Sequence, residues 1–366
     1  MAIFNGTDVA IEDTPLSAIN HFAQSANGSK KRKNIVGLLR GYFATPIIAI
    51  LGEAGMVDRM LEGDFSASDW NSTLHVETIS ALFRYLFSIG LLTRGTTGEY
   101  ALSADGRSTL KRNGAFSLLM SYSPYFQELS GTIAGNETDP RVDRLRNVRG
   151  SGQLHSQKFF PEAFNLLSGL APTAVIDVGC GDGCFLCHAL EKWPELRIFG
   201  VDLSPTAVEA TKKRLSSLCA FDPVATNADG FNVESWSVAA RKSIPETQRL
   251  VISLWFVAHE FSRGSQHRLV DFFTTVNRIF PRAQILLGEI TRIHPEHLAE
   301  DHELSIMPEF LLFHELSGQG VLAWEAWQEV LRKVPYRVKA EKRFDEVRAA
   351  SGESTPASFI WLLEPR

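Results

Sequence analysis

Short apolar runs recur through the second half of the chain at the spacing of alternating strands and helices. Val175-Ile-Asp-Val178 has strand length and precedes a helix-like stretch, Cys184-Phe-Leu-Cys-His-Ala-Leu190. Leu196-Arg-Ile-Phe-Gly-Val-Asp202 is a second strand; behind it Ser204 as N-cap, with Pro205 at the first helical position, opens a helix. Ala225-Thr-Asn-Ala-Asp229 falls where a third strand ends, Arg249–Ala258 reads as a buried fourth and Gln284–Ile290 as a fifth. Strands alternating with helices predict an α/β domain over residues 151–366.

Residues 1–150 are patterned differently and predict a separate, mainly helical unit. The run Gly37–Met56 carries an apolar stripe too broad for a solvated helix. Thr78–Leu92 is strongly amphipathic and ends at a glycine, and Thr93–Ser103 reads as a hairpin with Gly95 and Gly98 at its turn. Helix, helix and hairpin make a winged-helix pattern. No continuous apolar stretch of membrane-span length stands out in this reading, and Met1–Pro15 lacks a signal peptide's apolar core.

Composition narrows the class. At 366 residues and 44% apolar content the chain can fill two cores, and a net charge of −5 argues against nucleic acid as the main partner. The run Lys30-Lys-Arg-Lys33 reads as a solvated face. Four cysteines suggest no disulfide framework, so a cytoplasmic location is expected, with no membrane partner.

The turn after the first strand carries the first chemistry. Gly179, Gly181 and Gly183 follow the acid Asp177, and a glycine-rich strand-to-helix turn cradles nucleotide-like ligands. A dinucleotide fingerprint needs a further glycine at 184, where Cys184 stands. Asp177 suits an ammonium group, Asp202 with Leu203 beside it suits ribose hydroxyls, and Asp229, with Gly230 and Phe231, suits an adenine amino group. A ligand with an amino-acid end and an adenosine end is S-adenosylmethionine. The ordered set resembles the class I S-adenosylmethionine-dependent methyltransferases over roughly residues 155–366. That resemblance implies a Rossmann-like catalytic domain. Cys180, Cys184 and Cys187 have the spacing of a radical-enzyme cluster motif, but among the glycines they read as small packing residues.

The N-terminal unit resembles the dimerisation domain of small-molecule O-methyltransferases, which implies a homodimer with a substrate lid. In that group a histidine after the fourth strand is a general base, and His259-Glu260 stands there, in place of a His-Asp pair. His314 is a second histidine, in a helix-like run from Pro308 to Gly320. With the Phe-His-Glu-Leu-Ser-Gly-Gln-Gly context, it resembles the 2-oxo acid C-methyltransferases of the phenylpyruvate and 2-ketoarginine type. This resemblance implies that His259 and His314 bind a metal ion, iron or zinc, which chelates a small 2-oxo acid. His294, His297 and His302 are rival ligands, and Glu260 or Glu289 is a candidate base.

Arg149 is the candidate partner of the substrate carboxylate, and Trp255, Phe256 and Phe313, with Phe310, are candidate walls of its pocket. Asp301, Glu303 and Glu309 would suit a guanidinium-bearing acceptor. The expected activity is methylation of the β-carbon of an amino-acid-derived 2-oxo acid. The alternatives are metal-free O-methylation with His259 as base, and a winged-helix regulator that senses S-adenosylmethionine.

Overall fold

The structure is a computed structural model that describes residues 29–137, 140–218, 224–245, 249–261, 266–294, 307–348 and 354–366. The chain divides into two compact units, Met1–Asn113 and Gly114–Arg366.

In the first unit, helix Val76–Ser88 buries Ile79, Phe83 and Leu86 on one face and stops before Gly90, whose φ of 84° ends the helical path. Strands β1 (Leu92–Arg94) and β2 (Tyr100–Leu102) then pair antiparallel as the expected hairpin. Helix Ser29–Glu53 contains one stretch, Ile35–Glu53, that is long and apolar enough to cross a membrane by length and composition. This corrects the reading that no segment reaches that length. Arg40 and the glycines at 37 and 41 interrupt the apolar run without lowering its average below that of a span.

The second unit is built on a seven-stranded sheet of order β5-β4-β3-β6-β7-β9-β8. β3 (Ala174–Val178), β4 (Arg197–Asp202), β5 (Val224–Asn227), β6 (Leu250–Trp255) and β7 (Gln284–Ile290) are parallel, while β8 (Tyr336–Arg348) and β9 (Ser354–Pro365) close the edge as an antiparallel pair. All five residues of β3 are buried, as a central parallel strand covered on both faces requires. The chain runs outward from β3 to β5, then returns to β6 on the other side of β3. That reversal opens a crevice at the carboxyl ends of β3 and β6, where ligands of such sheets bind.

Residue 150, the handover expected from the sequence, lies inside the unbroken helix Arg144–Ser168. A domain cannot end there, because this helix packs on the catalytic sheet through Phe159, Phe160, Ala163 and Leu167. Its path depends on a close crossing: a Cβ at Gly150 would stand 2.5 Å from the Leu118 backbone nitrogen and 2.6 Å from the Gly114 oxygen. Alanine in a helix ordinarily gains stability over glycine. Here the sign reverses, and Gly150→Ala is expected to cost about 1–3 kcal/mol in chemical denaturation.

Candidate active site

The crevice holds a cavity of about 410 Å³. Asp177 reaches it from β3, buried, accepting 2.6 Å from Ser253 Oγ on the neighbouring strand. Burial, then the charge of Asp202, pushes the Asp177 carboxyl up to about 7. Gly179, Gly181 and Gly183 take φ values of 75°, 56° and 79°, and a Cβ on Gly179 would meet Val257 Cγ2 at 2.9 Å. The turn therefore has to be glycine, and it brings bare backbone to the ligand.

Asp202 spends one oxygen on Gly181 N (2.9 Å) and the other on Ser204 N (2.8 Å), which locks β4 to the glycine turn. Lone pairs remain on both oxygens for hydroxyl donors. Asp202, Leu203 and Gly230 line the cavity. Asp229 and Phe231 are placed otherwise: Asp229 Oδ1 caps Phe231 N at 3.0 Å, and the Phe231 ring packs 4.7 Å from Phe272.

The two histidines singled out in the sequence meet. His259, on the short 3-10 turn Ala258–Phe261 after β6, and His314, on helix Met307–Leu316, place their Nε2 atoms 3.1 Å apart. Both are 3% exposed. His259 Nδ1 donates 3.0 Å to Glu289 Oε2, and Glu289 is itself fixed by the backbone N–H groups of Ala258 (2.7 Å) and Ile290 (3.1 Å). His314 Nδ1 donates 2.6 Å to the Phe310 carbonyl. With these partners assigning the tautomers, each ring turns an Nε2 lone pair toward the other.

Burial opposes charge on His259, yet the Glu289 carboxylate, by charge and hydrogen bond, with Glu260, outweighs it and leaves the imidazole more basic than usual. His314 is driven the other way, down to about 3, by burial and by His259. Tyr122 stacks on Phe313 at 4.6 Å and 7°, and Phe310 lies 3.9 Å from the His314 ring, so aromatics wall this side. Trp255 and Phe256 line the cofactor cavity instead. His294 is exposed, Glu309 lies on the His314 helix, and His297, His302, Asp301 and Glu303 fall outside the described residues. Among the described residues no cluster of three or more His, Cys, Asp or Glu side chains has the makings of a metal site.

Sequence reading missed a stripe on helix Arg144–Ser168. Arg144, Asn147, Ser151 and His155 all line the cavity, and their spacing of three and four residues puts them on one face. That spacing was the available signal. Arg144 Nη1 pairs with Glu260 Oε1 at 3.3 Å, beside the histidines. Arg149, the expected carboxylate partner, does not line the cavity; its charge acts on Asp182. His155 is buried, stacks 4.1 Å from Phe256 and is held neutral, its pKa pushed down to about 3 by burial and by His259. The three loop cysteines are also buried. Burial, then Asp182, pushes the Cys184 thiol up to about 12, as suits a packed, protonated side chain.

This geometry agrees with what the chain is similar to. A family model described as a methyltransferase domain matches residues 176–238, the span from β3 past the Gly230 turn. The chain is an S-adenosylmethionine-dependent methyltransferase. Over 314 residues the methyltransferase is 22% identical to a 2-ketoarginine methyltransferase of Streptomyces arginensis, covering 84% of this chain and 89% of that one. The structure of human N-acetylserotonin methyltransferase in complex with S-adenosylmethionine aligns with a TM-score of 0.59 at 14% identity, covering 93% of this chain and 99% of that one. An O-methyltransferase family protein from Burkholderia thailandensis aligns at 0.56 and 16% identity, covering 93% and 99%. The fold is thus the Rossmann-like methyltransferase fold, preceded by a helical N-terminal unit.

Proposed function

We propose that this methyltransferase methylates the β-carbon of an amino-acid-derived 2-oxo acid, with a metal ion held by His259 and His314. The observation that carries this reading is the approach of two buried imidazole Nε2 atoms to 3.1 Å. Two lone pairs at that distance repel unless a proton or a cation lies between or beside them. Two nitrogens each about 2.0–2.1 Å from one ion stand roughly 2.8–3.0 Å apart at a right angle and roughly 3.3–3.4 Å apart at the tetrahedral angle, values that bracket this separation. Metal-binding histidines also give their other N–H to a carboxylate or carbonyl, the parts that Glu289 and Phe310 play here.

A bound metal ion would supply Lewis acidity to the acceptor's carboxylate and ketone oxygens, which favours the enolate that transfer to carbon requires. The chain's own groups supply the rest. Arg144 exchanges Glu260 for the acceptor carboxylate, and the freed Glu260 Oε1 takes the β-proton. Tyr122, Phe310 and Phe313 exclude water from the developing carbanion. The glycine turn holds the sulfonium in line with the β-carbon. The 2-ketoarginine methyltransferase at 22% identity supports the acceptor class.

A second reading rests on His259 itself. With Glu289 behind it, the imidazole is a strengthened base, and metal-free O-methylation of a phenol needs no more. The solved O-methyltransferase of similar fold supports this reading. Exposed Leu38, Tyr42, Phe43 and Ile50 on helix Ser29–Glu53 support pairing of two copies under either reading.

A panel of 2-oxo acids, assayed with added iron or zinc and after chelation, decides between the two. The expected product gains one methyl on carbon, disappears with chelator and returns with the ion. A methyl ether as product, or turnover indifferent to chelator, overturns C-methylation.

A further inference from the structure

A second cavity, of about 520 Å³, adjoins the first at Arg144, which lines both. Leu316, Ser317 and Gln319, at and beyond the end of the His314 helix, form part of its wall. Arg141 and Arg144, at the start of helix Arg144–Ser168, form another part. Gln319 is the unusual member. It is only 9% exposed, and its backbone N–H donates 2.8 Å to His314 O. Ser317 Oγ donates 3.1 Å to its Oε1, whereas no described group accepts from its Nε2. That nitrogen is not sealed from solvent, as the orphan atoms Asn113 Oδ1 and Gln284 Oε1 are, so it opens into the cavity that the residue lines. Native chains keep few unpaired polar ends on buried side chains, and a ligand is one of the reasons to keep one.

The charges around this cavity say which ligand. Arg141 and Arg144 line it, and among the described residues no aspartate or glutamate does. Glu260, the partner of Arg144, lines the cofactor cavity, and Asp143 is spent capping its helix at Arg146 N, 3.1 Å away. The first turn of that 25-residue helix adds the positive end of its dipole. Glu309, which would suit a guanidinium, is exposed on the His314 helix and lines neither cavity. The Gln319 amide is neutral whichever of its ends faces inward. Positive charge and a spare amide suit an anion, whereas a guanidinium meets two like charges.

We propose that this cavity receives the acceptor's side chain and selects a 2-oxo acid whose side chain ends in a carboxylate. On the 2-oxo acid reading, upon which this rests, Arg144 holds the 2-carboxylate where the two cavities meet. The cofactor fills the first cavity, so the β-carbon stays at the junction and the rest of the acceptor extends into the second. Its methylenes lie along Leu129 and Leu316, and its distal carboxylate meets Gln319 Nε2 and Arg141.

Calorimetric binding to enzyme loaded with iron or zinc and S-adenosylhomocysteine tests the chemistry of the tip. 2-Oxopentanedioate is expected to bind about tenfold or more tightly than methyl-tipped 2-oxohexanoate or 5-guanidino-2-oxopentanoate. The second of these acids carries only the 2-carboxylate, and so separates that group from the distal one. Arg141→Gln is expected to weaken 2-oxopentanedioate about tenfold and to leave 2-oxohexanoate within about twofold. Gln319→Glu supplies an acid to the cavity and should reverse the order of the dicarboxylate and the guanidino acid. Both variants should keep wild-type affinity for S-adenosylhomocysteine, since neither residue lines the cofactor cavity. Equal affinities, a guanidino preference in the wild type, or a carboxylate preference that either variant leaves intact overturns this assignment alone. If no 2-oxo acid of any tip binds, the acceptor class is wrong and the assignment falls with it.

Discussion

His314→Ala is expected to lower turnover about 10²–10³-fold, the scale set by losing one preorganised electrostatic group at the reacting centre. Affinity for S-adenosylhomocysteine should stay unchanged, because His314 does not line the cofactor cavity. Nothing about its environment lets it act as a lone base. Burial and His259 hold its pKa down at about 3, so it is neutral throughout the working range, with Nδ1 committed to Phe310. A neutral imidazole with a fixed tautomer and a lone pair aimed at a second imidazole is suited to coordination. The same substitution should abolish any gain in turnover from added iron or zinc, whereas a packing role would leave that response intact. Steady-state kinetics with and without metal, alongside calorimetric titration of S-adenosylhomocysteine, reads both. Wild-type turnover in the variant makes His314 structural and leaves the His259–Glu289 pair to act alone.

The parts of the site legible in the sequence were those fixed by local chemistry. The glycines at 179, 181 and 183 announce a turn that only they can make, and the structure gives each a positive φ. His259 and His314 were found by their places after successive strands, since the parallel order brings those strand ends together. What was not legible depended on rotation about a helix axis. Arg149 was chosen for its nearness in sequence to the catalytic unit. At roughly 100° per residue, however, it stands well round the helix from Arg144, which faces Glu260.

The same cause hid His155, whose partner Phe256 is about a hundred residues away and whose burial is a tertiary fact. At Asp229 the acid was legible but the local bond of one of its oxygens was not. A short acid beside a turn can satisfy its own backbone, and it does so at Phe231 N. The boundary at 150 was drawn where a helical pattern gives way to alternating strands and helices, yet one helix runs through that point and continues to Ser168.

Asp177→Asn is expected to weaken S-adenosylmethionine binding about 10–100-fold, the worth of a buried hydrogen bond between charged partners. The pH dependence identifies the cause. In the free enzyme, burial and then the Asp202 charge raise the Asp177 carboxyl to about 7, against about 3.9 in an unfolded chain. Only the ionised carboxylate pairs with the cofactor's ammonium. Binding should therefore strengthen as pH rises toward 7 and level off above it, and weaken up to tenfold per unit below it. Stability of the free enzyme runs the opposite way. A carboxyl whose folded pKa is raised contributes fully below the unfolded value, and that contribution is lost as pH rises through about 7. The ligand thus binds best where the empty site costs the fold most, because the ammonium replaces the proton that a buried acid would otherwise keep. Asparagine cannot ionise and should flatten both profiles together, measured as dissociation constants and melting temperatures from pH 5.5 to 8.5. A wild-type dissociation constant that ignores pH across that range removes Asp177 from the ammonium site.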